Sequence, residues 1–294
     1  MATGTLAVST IAVSLATAND LLALQEKVLL QAGWVRTPDP QTASGQVSTI
    51  PVNATVATQF WTPNDGRTSF VMALKLITYT PPGYSAGYGT KFGISLQIAE
   101  RTDGAGALAG RTSPIISVTS PSYAPQDTPH SIYVSADSSR FTIAIAGERG
   151  GVISVERSRQ PDGTATAEFV AYHMAQTNPT AAAAGVLPLG TAALPPPDLP
   201  WWGALLPDGT KSFASGSRIG CSPVLPLYAG VRPPVLGLVT AKNNDLSLPK
   251  VVNLQVYGAV RPYLLLPGSA TGGVVMTNAI PGGQSLAALG MLWE

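Results

Sequence analysis

Charge is what this chain has least of. Its 294 residues include 17 Lys and Arg and 16 Asp and Glu, 11% of the total, where an ordinary soluble domain carries about 25%. Chains that stay unfolded combine low hydrophobicity with high net charge. Here the net charge is +1 and 45% of residues are hydrophobic, so disorder of the whole chain is excluded. The Lys and Arg residues are scattered and form no basic patch or stripe, which argues against a nucleic-acid partner. Cysteine is nearly absent. Cys221 alone cannot form an intrachain disulfide, which excludes the disulfide scaffolds of small secreted domains; it reads as a small buried hydrophobe. With two histidines, and no pair of His, Cys or acidic residues at ligand spacing, no metal site and no cofactor are expected. Long apolar runs are missing as well. Residues 2–19 carry no charged side chain, Thr3, Thr5, Ser9, Thr10, Ser14 and Thr17 interrupt them, and the first basic side chain is Lys27. Neither the basic start of a signal peptide nor the roughly 20 apolar residues of a membrane span is met. The expectation is no export signal, no membrane span, and assembly in a cytoplasm.

So few ions in a chain not bound for lipid have a physical meaning. Charge is depleted at the buried centres of protein interfaces, so a surface of Thr, Ser, Gly, Ala and Pro suits a subunit covered on several sides by other polypeptide. A secreted β protein with a quiet surface is the alternative. A chain of this length buries about 75% of its unfolded surface and needs no staple to fold.

What is present is mostly β pattern. Residues 5–15 predict a strand or extended arm, with Ile11, Val13 and Leu15 alternating with smaller residues. A helix follows, capped by Asn19 or Thr17 and running to about Ala32, with Gly33 ending it. Leu21, Leu24, Val28 and Ala32 line one face, Leu22 and Leu29 widen it, and Leu30 lies roughly opposite. A helix apolar over so much of its circumference is buried on more than one side, against its own domain or against a copy of itself on a symmetry axis. A polar linker covers 36–46. Alternation then predicts strands at Ile50–Val56, Phe70–Thr80 and Lys91–Ile98, each with one buried face.

The clearest pattern lies at 131–174, where Ile132–Ala136, Phe141–Ile145, Val152–Arg157 and Thr164–His173 alternate between short turns at Asp137–Ser139, Gly147–Gly151 and Gln160–Gly163. Strands this close, joined by such loops, pair antiparallel; a four-stranded meander is expected. Residues 179–294 differ, holding 15 of the 26 prolines and ten charged residues. Proline cannot donate to a ladder, so edge strands and coil are expected there, with Val251–Val256 and Tyr263–Leu266 its best strands, after a long Ala- and Pro-rich loop at 181–197.

Motif candidates are few. Gly83-Tyr84-Ser85-Ala86-Gly87 matches the nucleophile elbow of serine hydrolases, but no helical period follows it and Pro81-Pro82 precede it, so a loop between strands is expected. Gly104 to Gly110 is one residue too long for a dinucleotide loop and leads to a β run, not a helix; it reads as a hairpin loop. Paired carboxylates for glycoside cleavage stay open, because such pairs are assembled in space. Trp201-Trp202, in a nearly uncharged Pro-rich stretch, suits an interface hot spot, a core cap or a sugar-stacking platform. The run Leu286–Trp293 is apolar and expected to dock on something.

At 131–174, β hairpins in a charge-poor, Thr-, Ala-, Gly- and Pro-rich chain resemble segments of tailed-bacteriophage virion proteins. The resemblance implies a structural subunit of a tail, baseplate, neck or capsid surface, made in the host cytoplasm and located in the virion. Its implied partners are copies of itself in a homo-oligomer, other virion proteins and possibly a host-surface glycan. The expected fold is mainly β: an N-terminal arm and helix over 1–46, an antiparallel β-sandwich-like core over 47–178, and a Pro-rich β and coil region over 179–294. No catalytic residues are expected. The interface candidates are Leu22, Leu29, Leu30, Trp201, Trp202, Leu292 and Trp293. A glycan-binding module using Trp201 and Trp202, and a serine hydrolase using Ser85 with His130 or His173, are the rivals.

Overall fold

The computed structural model describes residues 1–8, 13–37, 46–67, 70–80, 89–113, 115–119, 129–146, 151–159, 165–175, 212–213, 220–223, 236–242, 249–256, 259–266 and 287–294. In chain order they form β1 (Ala2–Val8), α1 (Leu15–Gln31), β2 (Val35–Arg36), β3 (Thr55–Thr62), β4 (Val71–Tyr79), β5 (Lys91–Thr102), β6 (Leu108–Thr112), β7 (Ile116–Thr119), β8 (His130–Asp137), β9 (Arg140–Ala146), β10 (Gly151–Arg159), β11 (Ala165–Ala175), β12 (Ser212–Phe213), β13 (Gly220–Pro223), β14 (Leu238–Lys242), β15 (Lys250–Val256), β16 (Ala259–Leu265) and β17 (Ala287–Leu292). The fold is mainly β, and every strand pairing is antiparallel.

Two sheets share one core. The first has the order β1-β8-β9-β10-β11 and contains the four-stranded meander expected from the alternation at 131–174. The second runs β2-β3-β4-β5-β6, with β7 also on β5. Ile132, Val134, Phe141, Ile143, Ile153, Val155 and Phe169 of the first meet Trp61, Met72, Leu74, Leu76, Ile94, Leu96 and Ile98 of the second in one hydrophobic cluster. Helix α1 adds Leu21, Leu22, Val28 and Leu29 to the same cluster. The N-terminal strand and helix are thus built into this core: β1 zips onto β8 from Ala2↔Ala136 to Val8↔His130.

Several boundaries differ from the expectation, each for a local reason. Ser14 caps the helix, its hydroxyl accepting the Thr17 N–H at 3.1 Å. Asn19 is instead half-buried beside the 46–50 segment, where its amide both donates to the Val47 carbonyl and accepts the Val47 N–H. Gly33, at φ +88°, ends the helix as expected. Residues 50–54 alternate but form no strand. Pro51 removes a donor, Asn53 adopts φ +54°, and the Thr78 hydroxyl donates to the Pro51 carbonyl at 2.6 Å; the segment is a loop strapped to the end of β4, with Val52 62% exposed. The strand proper starts at Thr55 and carries Phe60 and Trp61 into the interior. Gly104 lies in the β5–β6 hairpin loop, where Asp103 accepts the N–H groups of Ala105 and Ala107.

The expectation of one buried face per strand fails at β5, where Lys91 to Leu96 are all buried, and the first sheet is also covered on both faces. Every residue of β9 is buried, because a third layer covers its other side. That layer is a second six-stranded sheet, of order β12-β13-β14-β17-β16-β15, with its own apolar cluster of Leu236, Val239, Leu254, Val256, Tyr263, Leu265 and Leu292.

Candidate functional site

The two faces of the meander differ in chemistry. The inner face is apolar apart from His130 and Arg157. The outer face carries Ser135 on β8, Arg140 and Thr142 on β9, Ser154 and Glu156 on β10, and Tyr172 on β11, all buried. Pairing sets these side chains side by side: Ser135 faces Thr142, Thr142 faces Ser154, and Arg140 faces Glu156. The Arg140 guanidinium donates to Thr142 Oγ1, to Ser135 Oγ and to Asp137, and Thr142 and Ser154 share a 2.7 Å hydrogen bond.

The polar row is closed by backbone from the C-terminal sheet. Glu156 accepts the N–H groups of Leu236 and Gly237, each at 2.8 Å, and the hydroxyl of Tyr172. Ser135 donates to the Leu292 carbonyl at 2.7 Å, and the Trp293 ring meets Tyr133 edge-on at 6.0 Å. Gly237 is required there: a Cβ would lie 2.6 Å from Glu156 Oε1, 2.9 Å from Tyr172 Oη and 3.0 Å from Ser154 Oγ. Burial pushes the Glu156 carboxyl above its ordinary value even against its three donors and Arg140. Burial and the Glu156 charge together push the Tyr172 hydroxyl far up. An acid and a phenol this perturbed are functional-site candidates in an open cleft. Here Glu156 is 2% exposed, covered by the 236–237 backbone of the C-terminal sheet. The arrangement joins layers.

A second charged cluster ties the two sheets of the sandwich. Arg157 is 1% exposed and grips both oxygens of Asp65, with Nη2 to Oδ1 at 2.7 Å. Its guanidinium lies 4.1 Å from the centre of the Phe169 ring. Phe169 packs on Phe70, Phe70 on Trp34, and the Trp34 indole donates to the Asp137 carbonyl. Burial alone would raise the Asp65 carboxyl, but the Arg157 hydrogen bond and charge outweigh it and hold it below its ordinary value.

The expected interface residues separate. Leu22 and Leu29 are buried in the chain's own core, so the helix's broad apolar face is satisfied internally. Leu30 is 52% exposed. Leu292 is buried in the C-terminal cluster and Trp293 is half-buried against Tyr133. Trp201, Trp202 and Ser85 lie outside the described residues, as do the side chains of His173 and Cys221. His130 starts β8, buried beside Phe92. Among the described residues no three His, Cys, Asp or Glu side chains are grouped to hold a metal ion, and no helix is long and apolar enough to cross a membrane. Glu156, Tyr172, Arg140, Asp65 and Arg157 were not singled out by sequence reasoning. The one available signal was that the alternate positions of the meander are rich in Ser, Thr, Tyr and Ala and poor in ions, Arg140 and Glu156 among the few.

No protein-family model matches the chain, and no curated protein matches it.

Proposed function

We propose that the chain is a non-catalytic structural subunit of a tailed-bacteriophage particle, in the tail, baseplate or neck or on the capsid surface, acting by self-association and by contacts with other particle proteins. One observation carries this. The chain has few ions, and it places some of them inside: Lys91, Arg140, Glu156 and Arg157 are all buried. Among the described residues the exposed ionic side chains are Asp20, Lys27, Arg67, Arg101, Asp103, Arg111 and Lys250. Leu15, Leu30, Val35, Val52, Ile115, Val251 and Val260 stand exposed among them. Such a surface is weakly hydrated and gains about 25 cal/mol per Å² of apolar area when another chain covers it, less the ordering costs of association.

Immunogold labelling of particles purified from the native source tests the proposal. An antibody raised against the chain is expected to decorate the tail, neck or capsid surface at regular positions. Label confined to material free of particles contradicts it.

A further inference from the structure

Of the six sheet edges among the described residues, five are guarded. A strand edge open to solvent is normally blunted by ions, a bulge, brevity or cover. β2 and β12 are two residues long. β6 carries Arg111, and its register on β5 shifts between Ala99 and Arg101. β11 carries Glu168, and its register on β10 shifts between Arg157 and Arg159. β15 carries Lys250 and lies against β12. β1 has none of these devices. Its seven residues include no ion and no proline, and they pair with β8 in unbroken register. Among the described residues nothing pairs with its other edge, and Thr5 and Ala7 are exposed.

Helix α1 seats on this strand. A Cβ at Gly4 would lie 2.5 Å from Leu24 Cδ1 and 3.1 Å from Val28 Cγ2, and the helix also touches β8. One flank of the helix is already engaged: Glu26 pairs with Arg36 of β2, and Asn19 holds Val47. The opposite flank runs through Thr17, Asp20, Leu24, Lys27 and Gln31, at the steps of three and four residues that share a helix face. Asp20, Lys27 and Gln31 are exposed and Leu24 is half-buried. This stripe complements itself when reversed. Turned about Leu24, Asp20 falls opposite Lys27 and Thr17 opposite Gln31.

We propose that a second copy of this chain docks on β1, antiparallel about a twofold axis at Thr5, so that two five-stranded sheets become one and the two α1 helices lie side by side on it. The free N–H and C=O groups of a strand edge call for another extended backbone, and a twofold lets the same strand satisfy itself. The spacing agrees. Strands in a sheet lie about 4.8 Å apart. A helix straddling β1 and β8 is then about 5 Å from the axis and about 10 Å from its copy, against roughly 8–10 Å for packed helices. Charge favours a second copy over a foreign strand, because Leu24 meets the partner's Leu24 while Asp20 meets the partner's Lys27, twice per dimer. The inference rests on the self-association proposed above and names the contact that makes it.

Sedimentation equilibrium of the full chain over a concentration series tests it, with Asp20→Lys, Lys27→Asp and the double swap. Each single reversal sets like charges together at both places and is expected to raise the dimer Kd by about tenfold. The swap restores opposite charges and is expected to bring Kd back to within about threefold of wild type. Thr5→Lys puts two ammonium groups opposite each other at the axis and is expected to weaken the dimer by about tenfold as well. Single reversals that the swap does not rescue would overturn the proposal. Self-association that none of these substitutions changes, as when β1 takes a strand of another protein, would overturn this contact and leave self-association standing. A chain monomeric at every concentration would overturn both.

Discussion

At Asp65 the Arg157 guanidinium holds a carboxyl below its ordinary value, while at Glu156 burial lifts one above it. The linkage signs are opposite. A depressed carboxyl stabilises the fold above its unfolded value, and that contribution is lost as pH falls through the folded one. A raised carboxyl binds its proton more tightly when folded, so its contribution is present below its ordinary value and declines as pH rises toward the folded value. Urea titrations across pH are expected to show both slopes: Asp65→Asn removes the acid one and Glu156→Gln the one at higher pH. At neutral pH Asp65→Asn is expected to destabilise by about 3 to 5 kcal/mol, because it strands Arg157 in the interior. Adding Arg157→Met is expected to recover much of that loss, since removing both charges leaves no orphan; a double variant as unstable as the single one would contradict the pairing. Two glycines give a further contrast. A Cβ at Gly4 meets the Leu24 Cδ1 methyl at 2.5 Å, the far end of a side chain that can rotate, whereas one at Gly237 meets groups fixed by hydrogen bonds. Gly4→Ala is expected to lower the melting temperature less than Gly237→Ala does.

Among the elements, helix α1 depends on Ser14 for its start, and Ser14→Ala is expected to cost about 1 kcal/mol in a denaturant titration, with Asn19→Ala acting separately through the Val47 strap. The cap was missed because Thr17 and Asn19 are equally good cap residues, and only the backbone geometry selects Ser14. The meander was legible because alternation and turn chemistry agree over four strands; Asp137 accepts the Ser139 N–H and makes the β8–β9 turn the sequence implied. Ile50–Val56 was misleading for the opposite reason. Its alternation is real, but Pro51 and the left-handed Asn53 break the ladder, so the strand begins at Thr55. Strand β3 itself hid behind Gln59-Phe60-Trp61, where a buried polar residue interrupts the apolar pattern; the Trp61 indole donates to Gln59 inside the core. The polar row was hard to read because Ser135, Thr142, Ser154 and Glu156 sit where an alternating strand normally faces water. Only the scarcity of ions along the whole row sets it apart from a solvent face; no single Ser does.

Across the whole molecule, three antiparallel layers consume the apolar residues of a chain that has few ions left for its outside. Leu22 and Leu29 turn inward, so those two side chains are not open to a neighbour. The exposed Val251 and Val260 lie on the outer side of the β15–β16 hairpin, and Leu30 and Val35 near the end of α1. If other polypeptide covers these faces, Val251→Lys together with Val260→Lys is expected to weaken association while leaving the melting temperature within about 2 °C, since surface changes stay within about 0.5 kcal/mol. The central claim, that this surface is meant to be covered, is tested most directly by small-angle scattering of the purified chain over a concentration series. A compact monomer of this length has a radius of gyration of about 19 Å. The account predicts a larger value and a mass above one chain. A strictly monomeric particle of about 19 Å at the highest concentration would contradict it.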